Sequence, residues 1–91
     1  MSYNIEIKEQ ASKEIKALKK SEISAYNKLV KLLAELMEHP YIGTGKPEQL
    51  KGDRQGQWSR RITQKHRLIY QIEEEVVTVV IISVIGHYGN K

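Results

Sequence analysis

The stretch QWSRRITQKHRLIYQIEEEVVTVVIISVIG, residues 57–86, decides the fold. It divides into runs rich in β-branched and aromatic residues, read as strands at about Gln57–Thr63, His66–Glu73 and Val76–Ile85, joined by short turns. The last run is apolar throughout except at Thr78 and Ser83, the pattern of a central strand covered on two sides. Strands that follow one another on turns this short pair antiparallel.

Working outward, residues 3–8, YNIEIK, alternate Tyr3, Ile5 and Ile7 with polar partners, as a half-buried strand does. The period then changes: Ala11, Ile15 and Leu18 fall on one face of a helix over residues 10–20. Ser21 is the expected N-cap of a longer helix, whose stripe of Ile23, Tyr26, Leu29, Val30, Leu33, Leu36 and Met37 ends at Pro40. Tyr41–Gln57 reads as an ordered loop, because four of the chain's six glycines and one of its two prolines lie between positions 43 and 56. The order is βααβββ: an α+β domain, with a two-helix hairpin packed on one face of a small, mostly antiparallel four-stranded sheet.

Length and composition bound the rest. With 91 residues, the chain is expected to be one domain, 1–91, with a single modest core. It has no cysteine, which removes disulfide and thiolate chemistry and points to a reducing cytoplasm. The apolar run Val76–Gly86 is too short to span a membrane, and MSYNIEIKEQ has no secretory apolar core, so neither membrane association nor export is expected. No close Cys/His pairing stands at zinc-ligand spacing, and no metal or other cofactor is expected.

Charge is concentrated. Between Lys46 and Arg67 there are seven bases against two acids, a surplus larger than the +4 of the whole chain. A basic segment around the only Trp suits a polyanion, since neutralising phosphates releases counterions. A plain solvated basic face is the competing reading.

The motifs GKPE-x-LK, G-x-WSRRIT and HRLIY within residues 45–72, with His87-Tyr88 downstream, resemble the YoeB/Txe branch of the RelE-type bacterial toxins. That resemblance implies the RelE fold and an mRNA interferase acting in the ribosomal A site, silenced by a cognate acidic antitoxin of the YefM/Axe kind. A homodimer and a toxin–antitoxin hetero-oligomer both fit it. Carried over motif by motif, the resemblance assigns the active site to Glu48, Arg61, Arg67, His87 and Tyr88. Lys46, Lys51, Arg54, Arg60 and Lys65 are the basic residues expected to bind RNA. Where the family pattern ends at His-Tyr, Gly89-Asn90-Lys91 follow here and read as a tail.

The chemistry stands apart from the name. Metal-free RNA cleavage needs a base for the 2′-OH, cations on the pentacoordinate phosphorane and an acid for the leaving 5′-oxygen. Glu48, Arg67 with Arg61, and His87 supply these roles. A non-catalytic nucleic-acid-binding module and a protein-interaction domain with an acidic partner are the alternatives. Trp58, in period with Ile62, reads as core, and His39 and His66 read as structural.

The hairpin offers a geometric test. A two-residue turn at Gln64-Lys65 would send Arg61 and Arg67 to opposite faces. A three-residue loop, Thr63–Lys65, sets Arg61 across from Arg67 and Trp58 across from Tyr70, which the catalytic reading requires, with a bulge at its base. It also leaves Arg60 on the core side, its stem snorkelling to an edge.

Overall fold

The computed structural model describes residues 2–86. The elements run β1 (Asn4–Ile7), α1 (Glu9–Ser21), α2 (Ile23–Glu38), β2 (Glu48–Gln49), β3 (Trp58–Arg61), β4 (His66–Glu73) and β5 (Thr78–Gly86). The strands form one sheet in the order β1-β5-β4-β3-β2, with β1 parallel to β5 and every other pair antiparallel. Both helices pack on one face. Their Ala11, Leu18, Leu29 and Leu36 share a core with Leu68 and Tyr70 of β4 and Val79 and Ile81 of β5. Leu29 and Leu36 are both 0% exposed, and burying a leucine in full contributes about 1.5–3 kcal/mol.

The sheet has five strands where four were expected. The addition is β2, two residues inside the Tyr41–Gln57 segment, too short to show a period of two in the sequence. The same segment carries a 3₁₀ turn at Gly52–Arg54.

The helix junction also differs from expectation. Ser21 closes α1 and does not cap α2: its hydroxyl donates to the Ala17 carbonyl at 3.0 Å. A serine satisfied within its own helix is not available to the next one. Glu22 separates the helices, and its carbonyl takes the Tyr26 N–H at 3.0 Å. α2 is turned so that Ala25, Leu29, Leu32 and Leu36 are buried, while Ile23, Val30 and Met37 of the expected stripe lie exposed. Ala25 and Ala11, at 1% and 0% exposure, are small enough to sit deep in this core.

β5 lies between β1 and β4, but only one of its faces is covered. Val79 and Ile81 are buried beneath the helices, whereas Val80 and Ile82 are half-buried and line a groove with Glu6, Gln71 and Glu73 on the other face. A register shift between Ile69 and Tyr70 interrupts the β4–β5 ladder: Tyr70 faces Ile81 and Ile69 faces Ser83. Ile82 is the extra residue of this bulge. The bulge resets the alternation, so Val84 joins the core and Ile85 falls in line with Arg67.

Between β4 and β5 the chain turns through Val77 at φ 47°, ψ 52°. A β-branched residue is strained in the left-handed region, by roughly 1–2 kcal/mol. Val77→Asn, which tolerates that conformation, is expected to stabilise the domain by about 0.5–1 kcal/mol. A higher urea midpoint at constant m would register it, and an unchanged or lower midpoint would contradict it.

Candidate active site

β3 and β4 build the centre of the site. Arg61 pairs with Arg67 and Trp58 with Tyr70, so the loop between the strands is Thr63–Lys65, the odd-numbered one. The N–H groups of Ile62 and Thr63 both reach the His66 carbonyl, at 2.9 and 3.2 Å, two donors on one acceptor as at a bulge. Thr63 Oγ1 then takes the Lys65 and His66 amides, each at 3.1 Å, which fixes the loop.

Strand alternation assigns the faces. Glu48 pairs with Ser59, Ser59 with Ile69, and Ile69 with Ser83, while Arg61, Arg67 and Ile85 make the next row on the same side. Glu48, Arg61 and Arg67 therefore share the sheet face that the helices leave open, and all three are exposed. Directly opposed Cα atoms are about 4.5–5.5 Å apart, and diagonal neighbours about 7–8 Å. Arg61 thus has Arg67 directly opposite and Glu48 diagonally across, while Glu48 and Arg67 stand two strands apart on the same face. His87 and Tyr88, the remaining expected site residues, and the tail 89–91 lie outside the described residues. Ile85 and Gly86, the end of β5, pair with Arg67 and His66.

The other basic residues divide. Lys46, Lys51, Arg54 and Lys65 are exposed around the site. Lys51 and Arg54 occupy the β2–β3 connection, and Lys65 the β3–β4 loop at the opposite end of β3. Arg60 must be removed from the RNA-binding set, because it is 0% exposed and turns inward under the sheet. Nor does its stem snorkel out. The guanidinium ends in an ion pair with Glu35 of α2 at 2.5 Å, and it also donates to Tyr70 and to the carbonyls of His39, Ile42 and Thr44.

Burial pushes the Glu35 carboxyl up, but bonds from the Thr44 amide and hydroxyl and from Arg60 outweigh it and hold the group below its ordinary range. Burial likewise raises the Tyr70 phenol. Tyr70 thereby keeps its proton and donates to the Pro40 carbonyl at 3.3 Å. Ser59 is 1% exposed, and its hydroxyl is a buried side-chain group without a hydrogen-bond partner among the described residues.

Trp58 is half-buried against the core, with the Tyr41 ring edge-on at 5.5 Å. His66 is structural, held by Thr63 Oγ1 at 3.1 Å and by Glu22 at 3.4 Å. His39 closes α2, and its carbonyl is one of the acceptors of Arg60. The Tyr3 and Tyr41 hydroxyls both donate to the Glu74 carboxylate, joining the N-terminal strand, the α2–β2 segment and the β4–β5 turn. That carboxylate bond, with lesser help from burial and charge, pushes the Tyr41 phenol up to about 12. Glu74→Gln is expected to bring Tyr41 ionisation back toward about 10. An alkaline ultraviolet titration reads this directly, and an unmoved Tyr41 transition would refute it.

The sequence profile of YoeB-like toxins of bacterial type II toxin-antitoxin systems matches residues 7–88. This chain belongs to that family. Toxin YoeB of Mycobacterium bovis is 42% identical over 52 residues, which are 57% of this chain and 61% of that protein, so the alignment spans only about three fifths of the relative. The YoeB/ParE toxin from Agrobacterium tumefaciens superposes with a TM-score of 0.85 at 29% identity, covering 93% of this chain and 99% of that one. YoeB of Staphylococcus aureus, at 31% identity, has been solved as a dimer and in a YoeB-YefM complex, with TM-scores of 0.82 and 0.81 and coverage of 97% of this chain.

Within this YoeB-family fold, sequence reading missed Glu35 and Thr44 as partners of Arg60, and Lys28 and Lys31 as neighbours of Arg61. The two lysines line a groove of about 470 Å³ together with Leu32, Glu35, Thr44, Arg61 and Ile62. Their three-residue spacing placed them on one polar helix face, but nothing in the sequence tied that face to the hairpin.

Proposed function

We propose that this protein is a ribosome-dependent mRNA endoribonuclease, the toxin of a type II pair, which cleaves RNA by metal-free acid–base chemistry. The observation that supports the reading most is the shared open face of Glu48, Arg61 and Arg67, fixed by the odd-numbered hairpin. Glu48 takes the proton of the 2′-OH, and the freed oxygen attacks the adjacent phosphorus. Arg67 and Arg61 stabilise the extra charge of the phosphorane. His87 protonates the departing 5′-oxygen, leaving a 2′,3′-cyclic phosphate and a 5′-hydroxyl. Tyr88 stacks on a base, and Lys46, Lys51, Arg54 and Lys65 hold the flanking phosphates.

Opposing two arginines across a ladder costs stability, a local conflict of the kind that functional sites carry. The partner is an acidic antitoxin whose chain orders over the cationic face on binding, as charge complementarity favours. That YoeB of S. aureus has been solved in complex with YefM supports a partner chain for this protein.

The test incubates the protein with translating ribosomes and maps new 5′ ends, beside His87→Ala. Cuts bearing 5′-hydroxyls with the wild type, and their loss in the variant, support the reading. Salt-sensitive binding without cuts would make this a nucleic-acid-binding module, and absence of any RNA or ribosome affinity would leave a protein-interaction domain.

A further inference from the structure

Arg60 lies in β3 between the ladder partners of Glu48 and Arg67, two residues whose placement the proposed cleavage needs. Its neighbours along β3 are Ser59, paired with Glu48, and Arg61, paired with Arg67. Its own side chain goes to the opposite face and collects the segment that leads into β2. Nη2 donates to the carbonyls of His39 and Ile42 at 2.5 and 2.7 Å, Nη1 to Glu35 and to the Thr44 carbonyl at 2.5 and 3.3 Å, and Nε to the Tyr70 hydroxyl at 3.1 Å. The guanidinium has five N–H groups, and all of them are committed. Glu35 grips the same segment from the other side through the Thr44 amide at 2.7 Å and hydroxyl at 3.0 Å.

Just beyond Thr44 the backbone does something costly. Gly45 and Lys46 both take positive φ, 88° and 53°, and the Gly45 carbonyl receives the Arg61 N–H at 2.7 Å. A Cβ at Gly45 would stand 2.7 Å from the Arg61 carbonyl oxygen. A left-handed non-glycine residue persists only where its surroundings over-determine it. Here the surroundings are the Arg60–Glu35 clamp on one side and β3 on the other. Glu48 follows three residues after Gly45. A core ion pair alone would need only Glu35, yet four of the five donors go elsewhere, three of them to carbonyls of this segment.

We propose that Arg60, braced by Glu35, is a positioning residue for the base: it locks residues 39–45 so that Glu48 stands at a set distance from Arg61 and Arg67. The proposal rests on the reading of Glu48 as general base. Misplacing a reacting group by an ångström can cost on the order of 10²-fold in rate.

Arg60→Lys tests it, since lysine keeps the charge and loses the fork. Cleavage on ribosomes is compared for wild type, R60K, E48Q and R60K/E48Q, with amide exchange measured on the free proteins. R60K is expected to lower kcat by about 10–100-fold and to leave KM within about threefold. Exchange at the Leu50 amide, which donates to the Gln57 carbonyl at 2.9 Å, should quicken while Val79 and Ile81 in β5 stay protected. E48Q should cost at least about tenfold less in the R60K background, because a misplaced base has less to lose. Additive losses, or unaltered Leu50 exchange, overturn the positioning role while the cleavage reading stands. A wild type that cuts no RNA overturns both. Should R60K fail to fold, Glu35→Gln takes its place under the same criteria.

Discussion

Glutamine at position 48 is expected to reduce mRNA cleavage by about 10²–10⁴-fold, the usual contribution of one general base. The substitution keeps the shape of the side chain and removes only its ability to take a proton. Glu48 is exposed on a two-residue edge strand, so the fold does not depend on its charge. Stability should stay within about 0.5 kcal/mol of wild type, as for most surface changes. Ribosome binding should persist, because the exposed bases around the site remain. The loss therefore belongs in kcat, with KM nearly constant. Arg67→Ala makes the companion case. It should lower cleavage by about 10²–10³-fold, and at the same time raise stability by a few tenths of a kcal/mol, because it relieves the like charge opposite Arg61. Single-turnover cleavage and urea unfolding check the pair. Near-normal cutting by Glu48→Gln would remove the proposed mechanism.

How far the sequence carried depends on the kind of information each feature needs. The strands, the helices and the hairpin register follow from local period and from the constraint that Arg61 and Arg67 share a face, and the register is observed. β2 was not legible, because two residues cannot display an alternation. The rotation of α2 was not legible either: its apolar residues span more than one face, and only packing against the sheet chooses Ala25 and Leu32 over Ile23 and Val30. Arg60 shows the sharper limit. Alternation placed it on the core side, but four of its five acceptors lie 16 to 25 residues away in α2 and a glycine-containing loop, where no spacing rule applies. Counting it among the RNA-binding bases followed from composition, and composition does not distinguish a solvated arginine from one that has found five acceptors.

Those acceptors make Arg60 the position where a single change should cost the fold most. Glu35→Ala leaves a guanidinium at 0% exposure without its counter-charge, and breaking a buried pair in this way is expected to cost about 3–5 kcal/mol. For a domain of this size that is on the order of 20 °C in Tm. Many buried pairs can be replaced on both sides by apolar residues at little cost. This one should not behave so. In Arg60→Met/Glu35→Leu the charges vanish together, but the carbonyls of His39, Ile42 and Thr44 lose their donor. Each orphaned acceptor that stays dry costs about 1–3 kcal/mol, so the double variant should remain at least about 2 kcal/mol less stable than wild type. A neutral double variant would show that the loop carbonyls find water and that the guanidinium is dispensable.

Acid gives an independent reading of the same contact. Because the folded protein holds the Glu35 carboxyl below its ordinary range, its contribution is complete above the unfolded value of about 4.3 and is lost as pH falls through the lower folded value. Glu35→Gln should therefore be less stable than wild type near neutrality, and the gap should close as denaturation is repeated from pH 5 downward. A gap that stays constant with pH would mean that the charge of Glu35 does not hold Arg60 in place.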